Sequence, residues 1–104
     1  MSIAHTILEQ LGGNKFTVMT GAKNYSSTGS GEGIVGGLSF KLPSNFAKDG
    51  INCVAVYLTG LDTYIMKFWK TKRMDLVLLH EVNDVYAEDL QRIFKDTTGL
   101  DTHL

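Results

Sequence analysis

The stretch that decides the fold is 51-INCVAVYLTGLDTYIMKFWKTKRMDLVLLHEV-82. It contains three runs, 51–59, 63–71 and 74–82, rich in Val, Ile, Leu, Tyr, Phe and Thr and broken only by Gly60-Leu61-Asp62 and Lys72-Arg73. Parallel strands need a crossover of a dozen or more residues, so breaks this short predict antiparallel hairpins and a three-strand meander. Because strand side chains alternate between faces, the first run sets Val54, Val56 and Leu58 against Ile51, Cys53, Ala55 and Tyr57. The second sets Tyr64, Met66 and Phe68 against Ile65, Lys67 and Trp69. Both faces carry large apolar side chains.

Downstream of the meander, Asn83-Asp84 reads as a helix cap, followed by Tyr86, Leu90, Ile93 and Phe94 at helical spacing. Gly99 is placed as a left-handed stop, with Leu100 packing back on the helix. Upstream, Ser2 is a natural N-cap, and Ala4, Ile7, Leu8 and Leu11 form one apolar stripe before Gly12-Gly13 ends the helix. Residues 14–20 alternate, Phe16 and Val18 against Lys15 and Thr17, and predict a short strand. Leu38, Phe40 and Leu42 alternate in a second strand closed by Pro43, and 44–50 reads as one helical turn. The order predicts a single α+β domain over 1–104: an antiparallel sheet of about five strands with N- and C-terminal helices packed on one face. Two short helices cover one side of such a sheet, so the second apolar side needs another cover.

Gly31, Gly33 and Gly36 match G-x-G-x-x-G. A phosphate loop of that kind opens a helix, whose free N–H groups converge on the anion. Here a strand pattern follows instead, and no Gly-Lys-Ser/Thr accompanies it. With four Ser or Thr and three Gly in 25–33, the segment 25–35 reads as a flexible Gly/Ser-rich loop between strands.

The chain's 104 residues bound it to about one core, and 43% hydrophobic with 20% charged residues is a globular composition. A net charge of −1 exerts no general pull toward nucleic acid or anionic membrane. One Cys allows neither an internal disulfide nor a multi-cysteine metal site, and Cys53 reads as a small buried hydrophobe. No secretory pattern and no apolar run of membrane-spanning length is present, which predicts a cytoplasmic protein without membrane partners. His5, His80 and His103 are scattered, His80-Glu81 reads as an ordinary strand pair and Asp62 as a turn residue. No catalytic, cofactor-binding or metal-binding residue is assigned, which points away from an enzyme.

Two surfaces stand out. Trp69, the only Trp, shares a half-polar face with Tyr57, Ile65 and Lys67 and has the composition of an interface hot spot, most simply within a two-fold homodimer. Alternatively, Trp69 caps the sheet beneath the glycine loop. The second surface is Lys67, Lys70, Lys72 and Arg73, interleaved with Phe68 and Trp69, a hairpin able to contact phosphates and stack a base. Charged hairpin tips also serve solubility alone.

The phrases Leu11-Gly12-Gly13-Asn14-Lys15-Phe16, Met19-Thr20-Gly21-Ala22-Lys23-Asn24, Leu38-Ser39-Phe40-Lys41-Leu42-Pro43, Gly50-Ile51-Asn52 and Thr98-Gly99-Leu100 resemble a family of small uncharacterised proteins encoded by bacteriophages and bacterial mobile elements. The resemblance runs along nearly the whole chain. It implies a stand-alone accessory protein in the cytoplasm of a bacterial host and brings no activity, substrate, cofactor or catalytic residue. The resulting expectation is a non-enzymatic binding protein that self-associates through the Trp69 face and acts on a host or element-encoded macromolecule. The alternative is a small nucleic-acid binder using the hairpin 67–73.

Overall fold

A computed structural model describes residues 3–29, 31, 33–43, 50–72 and 75–100. Helices α1 (Ile3–Leu11) and α2 (Gly13–Thr20) precede strands β1 (Lys23–Thr28), β2 (Ile34–Lys41), β3 (Cys53–Thr59), β4 (Tyr64–Lys72) and β5 (Asp75–Val85). A 3-10 turn, Ala87–Asp89, leads into α3 (Leu90–Thr98). The strands form one five-stranded antiparallel sheet in the order β1-β2-β3-β4-β5. With helices at both ends of the chain, the architecture is the α+β arrangement that the sequence predicts.

The three described α-helices lie on one face. Leu38 and Phe40 of β2, Val54 and Val56 of β3, and Tyr64, Met66 and Phe68 of β4 point to that side and are buried with Ile7, Leu11, Phe16, Leu90 and Phe94. Phe94 of α3 is central, its ring centroid 5.0 Å from Phe16, 6.2 Å from Phe40 and 6.5 Å from Phe68. Edge-to-face and tilted geometries place ring hydrogens on neighbouring π-faces, which adds about 0.5–1.5 kcal/mol per pair to the burial itself.

Several elements differ from the sequence expectation. Residues 14–20 are helix, not strand: Phe16 is 0% exposed and Val18 is 80% exposed, so the pair that alternation assigns to one face splits across the helix. The Thr17 and Thr20 hydroxyls donate back to the Gly13 and Phe16 carbonyls, and Gly21 ends the helix in the left-handed conformation. Burial of Phe16 against Phe40 and Phe94 outweighs the strand preference of Thr and Val. The place of that strand is taken by β1, in the first part of the segment expected to be loop, and residues 34–35 belong to β2. The connection between them spans 29–33, where Gly31 and Ile34 bridge through paired backbone bonds of 3.0 and 2.8 Å and Gly33 takes φ 72°. The glycine motif thus closes a hairpin.

At the other end, β5 continues to Val85 past the expected cap, and Tyr86, expected on the apolar stripe of the last helix, precedes the 3-10 turn and is exposed. Gly99 does end α3 with φ 77°, its N–H donating to the Lys95 carbonyl at 2.7 Å, and Leu100 is buried. Ile51, assigned by alternation to the face of Cys53, precedes β3 and turns into the core instead. Ser2, residues 44–49 of the turn expected over 44–50, Arg73 and His103 lie outside the described residues.

Candidate functional site

The opposite face of the sheet carries no described helix. Strand register defines its rows, since residues directly opposed across an antiparallel pair share a face. One row runs Lys23, Lys41, Cys53, Trp69, Leu78; the next runs Ser26, Ser39, Ala55, Lys67, Glu81; a third joins Thr28, Gly37, Tyr57 and Ile65. Polar side chains, with Lys23 and Lys41 among them, therefore occupy the β1–β2 side, and the large apolar ones, Tyr57, Ile65, Trp69 and Leu78, lie on β3–β5 beside Lys67 and Glu81.

The four residues proposed from sequence as an interface fall together. Tyr57 and Ile65 are directly opposed, and Lys67 and Trp69 follow on the same side of β4. The Lys67 ammonium stands 5.7 Å from the Tyr57 ring centroid and 3.5 Å from Glu81 Oε1, so a cation–π contact and a partly exposed ion pair hold it across the patch. Trp69, Tyr57, Ile65 and Cys53 are half-buried, each leaning on its neighbours while keeping an outer surface in water. Sequence reasoning missed Leu76 and Leu78, which extend the patch onto β5 at 56% and 46% exposure. Their alternation was legible. Their face was not, because an extra residue, Leu79, between the Phe68–His80 and Trp69–Leu78 pairs reverses the parity of β5.

Trp69 does not lie beneath the glycine hairpin. Gly33 and Ile34 sit at the end of the sheet where the Gly60 N–H reaches the Gly33 carbonyl, while Trp69 shares its row with Lys41 at the other end of β2. Seven residues of extended strand, roughly 23 Å, separate the two ends.

The basic hairpin does not form one patch among the described residues. Lys67 and Lys70, three residues apart on a regular strand, point to opposite faces; Lys70 extends over Gly50. Asp75 stands opposite Lys72 in the ladder, and the Lys72 side chain and Arg73 fall outside the described residues.

Titratable groups on or near the sheet are shaped by burial. It pushes the Cys53 thiol up, opposed by the positive charge of Lys41, which stands directly across the ladder. Burial likewise raises the Tyr25 and Tyr64 phenols; the Thr17 hydroxyl and the Gln10 side-chain oxygen, each at 2.7 Å, moderate the effect, and nearby Asp62 adds to it at Tyr64. His5 pairs with Glu9 at 3.4 Å on α1, and His80 is on β5. Among the described residues no three of His, Cys, Asp and Glu converge as a metal site would require, and no helix is long and apolar enough to cross a membrane. Compared with known proteins, the chain matches no family model, no curated protein and no solved structure.

Proposed function

We propose that this is a non-enzymatic binding protein that works through the open face of its sheet, pairing there with a second copy of itself. Following the resemblance of its sequence phrases, we place it among accessory proteins of bacteriophages or bacterial mobile elements, in the bacterial cytoplasm, acting on a host or element-encoded protein. The observation that carries the reading is the patch of Tyr57, Ile65, Trp69, Leu76 and Leu78 on the side that carries no described helix. Aromatic and aliphatic surface concentrated around one Trp is what a hot spot requires, and its burial on association is the main driving term. Lys67 and Glu81 add self-complementarity, because in a two-fold pairing each is available to the opposite charge of the other copy.

Light scattering with size-exclusion chromatography tests the proposal. The native chain is expected to elute as a concentration-dependent dimer and Trp69→Ala as a monomer with an unchanged circular dichroism spectrum. A native chain that stays monomeric at high micromolar concentration, or a dimer indifferent to Trp69→Ala, removes the interface.

A further inference from the structure

The polar corner of the same face holds a feature that self-association does not use. Lys23 and Lys41 are direct cross-strand partners. Like charges so placed repel and weaken the pairing, and neither lysine has an ion-pair partner among the described residues. Both line a groove of about 330 Å³ together with Asn24, Asn52 and Thr71. No carboxylate is among the described residues of its wall.

The wall is built rather than draped. The Asn52 backbone N–H donates to the Trp69 carbonyl at 3.0 Å, its carbonyl accepts from the Leu42 N–H at 2.9 Å, and its side-chain Oδ1 accepts from the Thr71 N–H at 2.9 Å. A backbone N–H can only donate, so the last bond fixes which end of the amide is oxygen. The Nδ2 donors are left without a partner among the described residues. Asn24, at φ 56°, occupies a bulge between Lys23 and Ser26, the kind of irregularity that re-aims side chains beside binding sites. Pro43, packed against Gly21, closes the groove with a residue that carries no N–H.

Two ammonium groups, an oriented amide donor, a second amide and a hydroxyl make a donor-rich, cation-repelling pocket. Lysine serves phosphate as a mobile point charge, and the neutral donors satisfy the remaining oxygens. We propose that this groove is a binding site for a phosphate group, held between Lys23 and Lys41 and hydrogen-bonded by the Asn52 amide. The phosphate groove itself does not depend on self-association, whereas a base stacked on Trp69 would compete with it, because both use the same side chain. The phosphate can belong to a free phosphorylated small molecule or to a nucleic-acid strand. Trp69 lies two strands from Lys41, about 10 Å at the usual strand spacing, within reach of a base attached to the bound phosphate.

The test is a titration of isotopically labelled protein with sodium pyrophosphate and, separately, with a short oligothymidylate, reading amide shifts and Trp69 fluorescence. Shifts are expected at Lys23, Asn24, Lys41, Asn52 and Thr71. Lys23→Gln and Lys41→Gln are each expected to weaken binding roughly fivefold, the scale of one solvent-exposed charge contact, and the double variant roughly twenty-fivefold if the two effects add. Lys95→Gln, on α3, matches the charge change and should leave affinity unaltered. The double variant should melt no lower than the parent, because it relieves the repulsion. Tighter binding of oligothymidylate with quenched Trp69 emission identifies a nucleic-acid strand; binding of pyrophosphate without such quenching by the oligonucleotide identifies a free phosphorylated ligand. The site is overturned if neither probe shifts those amides, if the double variant binds as the parent does, or if Lys95→Gln weakens binding equally.

Discussion

Gly37 shows how closely the sheet is packed at the level of single atoms. A Cβ at this position would collide with the Val56 carbonyl oxygen, lie 2.7 Å from Thr28 Oγ1 and 3.1 Å from the Tyr57 Cα. Two of these are backbone atoms of a paired strand and cannot rotate away. Gly37→Ala should therefore destabilise by about 1–3 kcal/mol, the usual cost of overpacking, measurable as a lower midpoint in urea. An unchanged midpoint would mean that β2 and β3 separate more easily than their ladder implies. Beside it, Thr28 Oγ1 is buried without a hydrogen-bond partner among the described residues. Neither feature is legible in sequence, where Gly36-Gly37 looks like the tail of a loop.

Among the elements, α2 is the most informative, because residues 14–20 satisfy a strand pattern and fold as a helix. Helix and strand make opposite statements about Val18. If 14–20 were a strand, Phe16 and Val18 would share the buried face and both would be costly to truncate. In the helix, Phe16→Ala should cost about 3–5 kcal/mol, whereas Val18→Ala should gain about 0.5 kcal/mol from the better helix propensity of Ala. Chemical denaturation of the two variants decides between them, and a loss of stability in Val18→Ala would contradict the helix. The reversal has a physical origin in distant partners, since the rings that reward the helical placement of Phe16 are Phe94 of α3 and Phe40 of β2.

For the whole molecule, burial of weak acids sets the response to alkali. The Cys53 thiol and the Tyr25 and Tyr64 phenols are all raised, chiefly by desolvation. A folded state that holds these protons more tightly than the unfolded chain keeps their full stabilisation below the unfolded values and loses it as pH climbs through the folded ones. With ordinary values of about 8.5 for Cys and 10 for Tyr, the melting temperature should begin to fall above about pH 8.5 and fall more steeply beyond 10. Tyr25→Phe should flatten the steeper part. Melting curves between neutrality and pH 11 measure this, and a temperature that holds constant across the range would place these side chains in water. At this scale the charge pattern also becomes visible: a chain of net charge −1 brings Lys23, Lys41 and Lys67 onto one face with Glu81.

The meander was legible from sequence because its information is local. Short breaks force hairpins, and alternation in 53–58 and 64–69 sorts side chains by face without reference to the rest of the chain. That is why the sequence alone places Trp69, Tyr57, Ile65 and Lys67 together, and why Gly99 reads as a stop. Tertiary structure decided what depends on distant partners. Phe16 is helical because Phe94 and Phe40 receive it; Leu76 and Leu78 join the open face because a bulge at Leu79 shifts β5; Lys23 meets Lys41 because the β1–β2 register brings them face to face. Side-chain period is a property of one strand, whereas register and burial are settled only when strands and helices compete for the same core.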